Sequence, residues 1–245
     1  MKKHTIEKYV TIAVVLLLAI LFIAKASGPS ILRLYVESGM GGVEKQPIFS
    51  TIPQEELNDP AVNAIYLTGL TLYHYPDLEI LLPKKFGVVK QTQKKIYYKK
   101  WKSKDKGAMI YISCKKPDFF TNLFPRVKKQ GINNNYAFIK STMYAQAKEI
   151  KNTNDAFFTI MKSIFTPDMG KQDNLKIIKF TLAGKKGFLT YNLGLLDNYF
   201  DCNFTDKEGN FFKVYFKDKG ANLDLEKVFT VISTVKKLGG EEIVH

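Results

Sequence analysis

Histidine, cysteine and paired carboxylates carry most acid–base and nucleophilic chemistry at neutral pH, and this chain has few of them well placed. There are three histidines, His4, His74 and His245, and two cysteines, Cys114 and Cys202. His4 precedes an apolar run and His245 is the last residue, so His74 is the histidine placed for catalysis. It lies in Tyr73-His74-Tyr75-Pro76-Asp77, where Asp77 can orient the imidazole as a general base. The competing reading, which we favour, is a turn histidine packed between tyrosines. Asp197, Asp201 and Asp206 are close in sequence, but they fall at strand ends and turns, where Asp serves the backbone rather than a calcium ion. The chain has no G-x-S-x-G, no H-E-x-x-H and no P-loop. Gly39-Met40-Gly41-Gly42 opens no strand-turn-helix unit and reads as linker, not as a dinucleotide loop. These absences lead us to expect no catalytic set, no metal site and no cofactor.

The densest chemical signal is cationic. Lys84 to Lys106 holds ten lysines opposed only by Asp105, interleaved with Tyr97, Tyr98 and Trp101. Read as one strand from Lys94 to Lys102, Tyr97 and Trp101 share a face with Lys95 and Lys99, while Tyr98 shares the other with Lys94, Lys100 and Lys102. Lys94, Lys95, Tyr97, Lys99, Lys100 and Trp101 are therefore the candidate binding residues, for an acidic protein partner or an anionic envelope surface. The plainer reading is an edge strand whose lysines discourage sheet-to-sheet pairing. Cys114 and Cys202 fall on apolar faces of predicted strands. Outside the cytoplasm they can oxidise, and closing the 88-residue loop between them would contribute about 4–5 kcal/mol. Two separate buried thiols is the reading we favour, since nothing in the sequence brings their Cα atoms within ~7 Å. Asn203-Phe204-Thr205 fits a glycosylation acceptor but lies on a predicted strand.

The elements that position these residues follow from periodicity. Leu78–Leu82 reads as a strand stopped by Pro83, and Ala108–Cys114 as a central strand joined to the lysine-rich one by a loop over 103–107. Three helical stretches follow. Asp118 caps one carrying Phe120, Leu123, Phe124 and Val127, split by Pro125; Tyr136, Ile139, Met143, Ala147 and Ile150 mark a second. The third has Thr153, Asn154 or Asp155 as its cap and Phe157, Ile160, Met161, Ile164 and Phe165 on one side. The last third reads as a meander. Leu175–Ala183 turns at Gly184-Lys185-Lys186-Gly187 into Phe188–Leu193, and Tyr199–Thr205 turns at Asp206-Lys207-Glu208-Gly209 into Phe211–Lys217. A closing helix carries Leu225, Val228, Phe229, Ile232 and Val235, with Lys236 and Lys237 at its C-terminus. Together these predict an α+β domain, an antiparallel sheet flanked by helices.

The address comes from the N-terminus. Tyr9–Ala24 is sixteen residues without a charge, bracketed by Lys8 and Lys25. As a helix it covers ~24 Å, close to the ~30 Å of a bilayer core, and flanking lysines can snorkel the difference. We expect one transmembrane helix with Lys2, Lys3 and Lys8 on the cytoplasmic side, and cleavage near Ala26 as the alternative. Either outcome places the rest of the chain outside the cytoplasm, on the periplasmic side, which argues against nucleic acid as partner. Residues 1–26 are thus anchor or signal peptide, 27–77 connector, 78–238 the extracytoplasmic domain and 239–245 tail. The charge is uneven: the connector and first strand are acidic, and residues 84–245 carry more than the whole chain's +14.

Leu78-Glu79-Ile80-Leu81-Leu82-Pro83-Lys84-Lys85-Phe86 and Val228-Phe229-Thr230-Val231-Ile232-Ser233-Thr234-Val235 resemble the opening strand with its Pro turn and the closing helix of PsbP-like domains. These are accessory proteins of photosystem oxygen evolution and their bacterial extracytoplasmic relatives. The resemblance covers residues 78–238, although the helical insertion over 118–165 is longer than that family needs. It implies a non-enzymatic module that docks on or stabilises a membrane complex, and it transfers no ligand residues. The expectation is therefore a membrane-anchored binding or assembly module, with an envelope hydrolase using His74 and Asp77 as the alternative.

Overall fold

The computed structural model describes residues 47–75, 78–94, 99–103, 108–166, 169 and 174–238. The expected span Tyr9–Ala24 lies outside them, and among the described residues no helix is long and apolar enough to cross a membrane. In chain order the strands are β1 (Glu55–Asn58), β2 (Thr71–Tyr75), β3 (Leu78–Leu82), β4 (Val88–Lys94), β5 (Lys99–Ser103), β6 (Ala108–Lys115), β7 (Lys176–Leu182), β8 (Lys185–Leu193), β9 (Asp197–Thr205), β10 (Phe211–Lys219) and β11 (Lys236–Lys237). The helices are α1 (Ala64–Thr68), α2 (Phe119–Leu123), α3 (Asn135–Tyr144), α4 (Thr153–Phe165) and α5 (Leu225–Ser233).

Mixed α+β architecture is what these elements build. One sheet runs β1-β7-β8-β9-β10-β6-β5-β4, and a small one runs β11-β3-β2. Every pairing is antiparallel except β1 on β7, which is parallel. Period-two alternation gives the large sheet two apolar faces. Phe200, Cys202, Phe204, Phe212, Val214 and Phe216 face α5 and the small sheet. Tyr199, Phe211, Tyr215, Tyr111 and Phe188 face the layer of α2, α3 and α4. With both faces covered, β9 and β10 are buried along nearly their whole length.

That burial traps polar groups. Lys213, Asp201 and Asn203 lie on the helical face at 0% exposure. The Lys213 Nζ donates to Asp201 Oδ1 at 2.5 Å, to Asn203 Oδ1 at 3.3 Å and to the carbonyl of Phe165 at the end of α4. Asn203 Nδ2 donates in turn to Asp201 Oδ2 at 2.9 Å. A cation with three acceptors and a carboxylate with two donors are satisfied without water, the condition under which buried charge is tolerated. The network fixes α4 to the two central strands.

Several expected boundaries move. Residues 47–75, expected as connector, belong to the folded unit: Ile48 and Phe49 are buried against the helical layer, β1 adds a parallel edge strand, and α1 packs on α5 with Asn63 N donating to Thr230 Oγ1. The proline-rich composition hid this, because the partners of Phe49 lie a hundred residues away. Lys94–Lys102 is not one strand but the arms of a hairpin, with Lys94 opposite Lys99, since a lysine-rich run has no Gly or Asn to mark its turn. Asp118 stands at the N-cap of α2, but at φ 59° its side chain makes no cap bond, and the Phe120 N–H donates instead to Asn135 Oδ1. The cap of α4 is Asn152, in a capping box with Asp155. The β7–β8 turn is only Ala183-Gly184, both at positive φ, so Lys185 and Lys186 are strand residues. Gly187 is strand as well, and a Cβ there would lie 2.4 Å from Asn203 O. Lys236 and Lys237 leave α5 to form β11.

The central network yields a stability prediction. Lys213→Met alone strands the Asp201 carboxylate in the core and costs about 3–5 kcal/mol. Lys213→Met with Asp201→Leu removes both charges and costs less than Lys213→Met alone, as measured by chemical denaturation. Additive costs would mean the two groups do not act as a pair.

Candidate functional site

Antiparallel connectivity decides which side chains meet at each end of the large sheet. In a meander, alternate turns fall at the same end, so the β7–β8 turn at 183–184 and the β9–β10 turn at 206–210 lie together. The last residue of β6, Lys115, pairs with Phe211 at that end. The β4–β5 hairpin closes toward it too, Lys99 standing opposite Ile112 and Lys102 opposite Met109. On the α5 side, β11 pairs with the start of β3 and brings Lys236 and Lys237 over the same turns.

An open cleft of about 620 Å³ results, lined among others by Lys185, Lys207, Lys236 and Lys237, with Asp206 and Glu208. A second depression of about 360 Å³ shares Asp206, Lys207 and Glu208 and adds Lys186, whose Nζ sits 4.5 Å from the Tyr136 ring centre. Each lysine is held differently. Lys185 is buried and donates to the Ser233 carbonyl at 2.9 Å, closing the end of α5. Burial pushes its ammonium below the usual lysine range; the Asp206 charge opposes this and Lys236 adds to it. The stem of Lys207 crosses the tight turn, so a Cβ on Gly184 would lie 2.4 Å from Lys207 Cε. Lys237 donates to Asn210 Oδ1 at 3.2 Å, and Lys236 lies 4.0 Å from Glu79 Oε1. Asp206 is occupied by its own turn, accepting from the Asn210 N and Nδ2, each at 2.8 Å. The lining is therefore net cationic, with Asn210 as an amide and Phe212 and Val235 as an apolar floor. Among its described residues no Ser, Thr, Cys or His faces the cleft. Such a set can hold carboxylates or phosphates, and among its described residues it offers no hydroxyl, thiol or imidazole.

The residues singled out from sequence distribute as follows. Lys94 and Lys99 are register partners at the tip of the β4–β5 hairpin, with Lys100 and Trp101 next along β5, at the same end of the sheet as the cleft. Lys95 and Tyr97 lie outside the described residues. Cys114 and Cys202 are not bridged. Both face α5, but β10 runs between their strands and they stand opposite Phe212 and Val214. Two strand spacings and a two-residue offset put their Cα atoms ~11 Å apart, beyond disulfide reach. His74 is 62% exposed on β2, and the carboxylate facing it is Glu79, 3.7 Å away across the strand pair. Asp77 lies outside the described residues. The three aspartates do not converge: Asp201 belongs to the Lys213 network, Asp197 accepts from Tyr199 OH at 3.1 Å, and Asp206 serves its turn. Asn203, the glycosylation acceptor by pattern, is fully buried.

Lys185, Lys207, Lys236 and Lys237 were not chosen from the sequence as site residues. The signal was present in the turn spacing, since a meander must stack its alternate turns. One further lysine has unusual chemistry. Lys162 on α4 is fully buried, and its Nζ donates to the carbonyls of Thr51 at 2.5 Å and Ala145 at 2.8 Å. Burial drives its ammonium down to about 7. It clamps the segment before β1 to the helical layer.

No protein-family model matches this chain, and no curated protein matches it either.

Lys162 makes stability depend on pH. In the unfolded chain it keeps its proton to about 10.5, whereas in the folded protein it releases it near 7. Between these values the unfolded state binds more protons, so stability rises with pH. From pH 7 to pH 9 its contribution is about 1–3 kcal/mol. Denaturation of Lys162→Met at both pH values should show a smaller rise than the parent; an equal rise would assign the effect to other groups, Lys185 and Lys213 first.

Proposed function

We propose that this chain is a non-enzymatic, membrane-anchored extracytoplasmic module that binds an acidic protein partner through the lysine-rich end of its large sheet. The observation that carries the reading is the convergence of Lys185, Lys207, Lys236 and Lys237 on one cleft, with the Lys94–Lys99 hairpin tip at the same end of the sheet. Cations supplied by four separate segments are not needed by any one strand edge, and the cost of crowding them is offset by an anionic partner. The anchor is Tyr9–Ala24, which places the domain on the periplasmic side. The PsbP-like resemblance of the β3 and α5 segments implies the same role. In this reading the protein is an accessory subunit that docks on or stabilises a membrane complex.

Reconstitute the full chain in lipid nanodiscs and measure binding of fluorescent poly-glutamate as the anionic probe. Lys207→Gln, Lys236→Gln and Lys237→Gln together should weaken it about tenfold at low salt, three exposed charge pairs contributing up to about 1 kcal/mol each. The effect should fade as salt shortens the screening length below ~10 Å. The triple Lys128→Gln, Lys129→Gln, Lys148→Gln, on exposed residues of the helical layer, should change little. Equal losses from both triples would mean that net charge, not this end of the sheet, binds the probe. Preference for anionic vesicles over poly-glutamate would move the partner from protein to envelope lipid.

A further inference from the structure

The opposite end of the large sheet has the reverse chemistry. Leu193 ends β8 and the β8–β9 turn is Gly194-Leu195-Leu196; the three leucines are 41%, 100% and 79% exposed in chain order. An exposed leucine alone means little; three within four residues at a hairpin tip form a projecting apolar knob. The knob is held firmly. Gly194 N donates to the Asp197 carbonyl at 3.1 Å and to Asn198 Oδ1 at 3.2 Å, and Gly220 N at the end of β10 donates to the Leu196 carbonyl at 2.7 Å. Those bonds satisfy the Gly194 N–H and the Leu196 and Asp197 carbonyls within the protein, which lowers the cost of taking this backbone out of water.

Two further features say what covers it. Exposed Lys219 is the last residue of the strand that braces the tip, and Lys217 lies 3.8 Å from Asp197, so ammonium groups sit just behind the leucines, where lipid head groups would meet them. The chain also approaches from this end. β1 is parallel to β7, whose first residue pairs with Tyr191 near the tip, and Gln54 N donates to Ile177 O just before β1 begins. The polypeptide that connects to Tyr9–Ala24 thus enters the sheet on the side where the leucines project.

We infer that the Leu193–Leu196 tip inserts into the outer surface of the membrane that holds Tyr9–Ala24, as a second and shallow contact. The domain then stands with its leucine end in the lipid interface and its lysine cleft facing away, toward a partner. The inference rests on the membrane-anchored reading, but the two are separable: residues 25–46, fully extended, reach up to ~75 Å, so an anchored domain need not touch the bilayer with this tip.

Cys114 and Cys202 are buried, so an introduced thiol can be labelled selectively. Place an environment-sensitive fluorophore on Leu195→Cys, Glu208→Cys or Leu17→Cys of the full chain. Reconstitute each in vesicles of phosphatidylcholine and phosphatidylglycerol with brominated acyl chains. The expected result is a blue-shifted, bromine-quenched signal at 195 and 17 and a water-like one at 208, with Leu196→Asp returning 195 to water. Quenching at 17 with none at 195 overturns the tip insertion and leaves the anchor standing. Quenching at neither position overturns both. A signal at 195 shielded without bromine quenching, together with cross-linking between copies, makes the occupant a second chain and also overturns the proposal.

Discussion

A lysine ammonium enclosed by two strands and a helix end is the interaction on which the arrangement depends. Lys213 could not sit at 0% exposure unless Asp201, Asn203 and the Phe165 carbonyl all reached it. Those acceptors come from β9 and from the C-terminus of α4, so satisfying one charge sets the position of α4 over the sheet. The stacked Tyr111 and Tyr215 rings, 4.4 Å apart, fill the face beside it, and the Phe120, Phe138, Phe165 and Phe211 rings seal the helical layer above. Most of the surrounding core is apolar packing, which tolerates small shifts; here geometry is fixed by charge.

With the middle of the sheet closed on both faces, the described surface with distinct chemistry lies at its ends. Connectivity made the ends unlike each other. Turns of a meander alternate, so the Ala183-Gly184 turn, flanked by Lys185, and the turn carrying Asp206, Lys207 and Glu208 collect at one end and the leucine turn falls at the other. The small sheet then adds Lys236 and Lys237 to the first group rather than the second, because β11 pairs with the start of β3. The described surface is thus polarised, with a cationic cleft at one end of the large sheet and an exposed leucine turn at the other.

Much of the fold was legible in the sequence for local reasons. The strands of the meander and the apolar face of α5 show in the spacing of Phe, Tyr, Val and Ile, because alternation of period two and repeats at three and four residues follow from backbone geometry alone. The splitting of α2 before Pro125 was legible for the same reason, a missing N–H. The candidate cleft was not. Its lysines lie in three separate segments, and Lys185 was assigned to a turn when it is a strand residue whose ammonium closes α5. Asp201, which looked like one of three neighbouring carboxylates, proved to be a core residue, since its neighbours in space are Lys213 and Asn203 rather than Asp197 and Asp206.

By itself the sequence determined most of the strands and helices from Leu78 onward, the excess of positive charge, the scarcity of catalytic side chains and the uncharged run from Tyr9 to Ala24. These are properties of neighbours along the chain, fixed by propensity, periodicity and composition. Tertiary structure alone decided that Phe49 belongs to the core, that Cys114 and Cys202 are kept apart by β10, that Lys213 finds its acceptors, and that lysines from distant turns share one cleft. Each of those depends on pairings across tens to more than a hundred residues, where strand order and register, not local preference, choose which side chains meet.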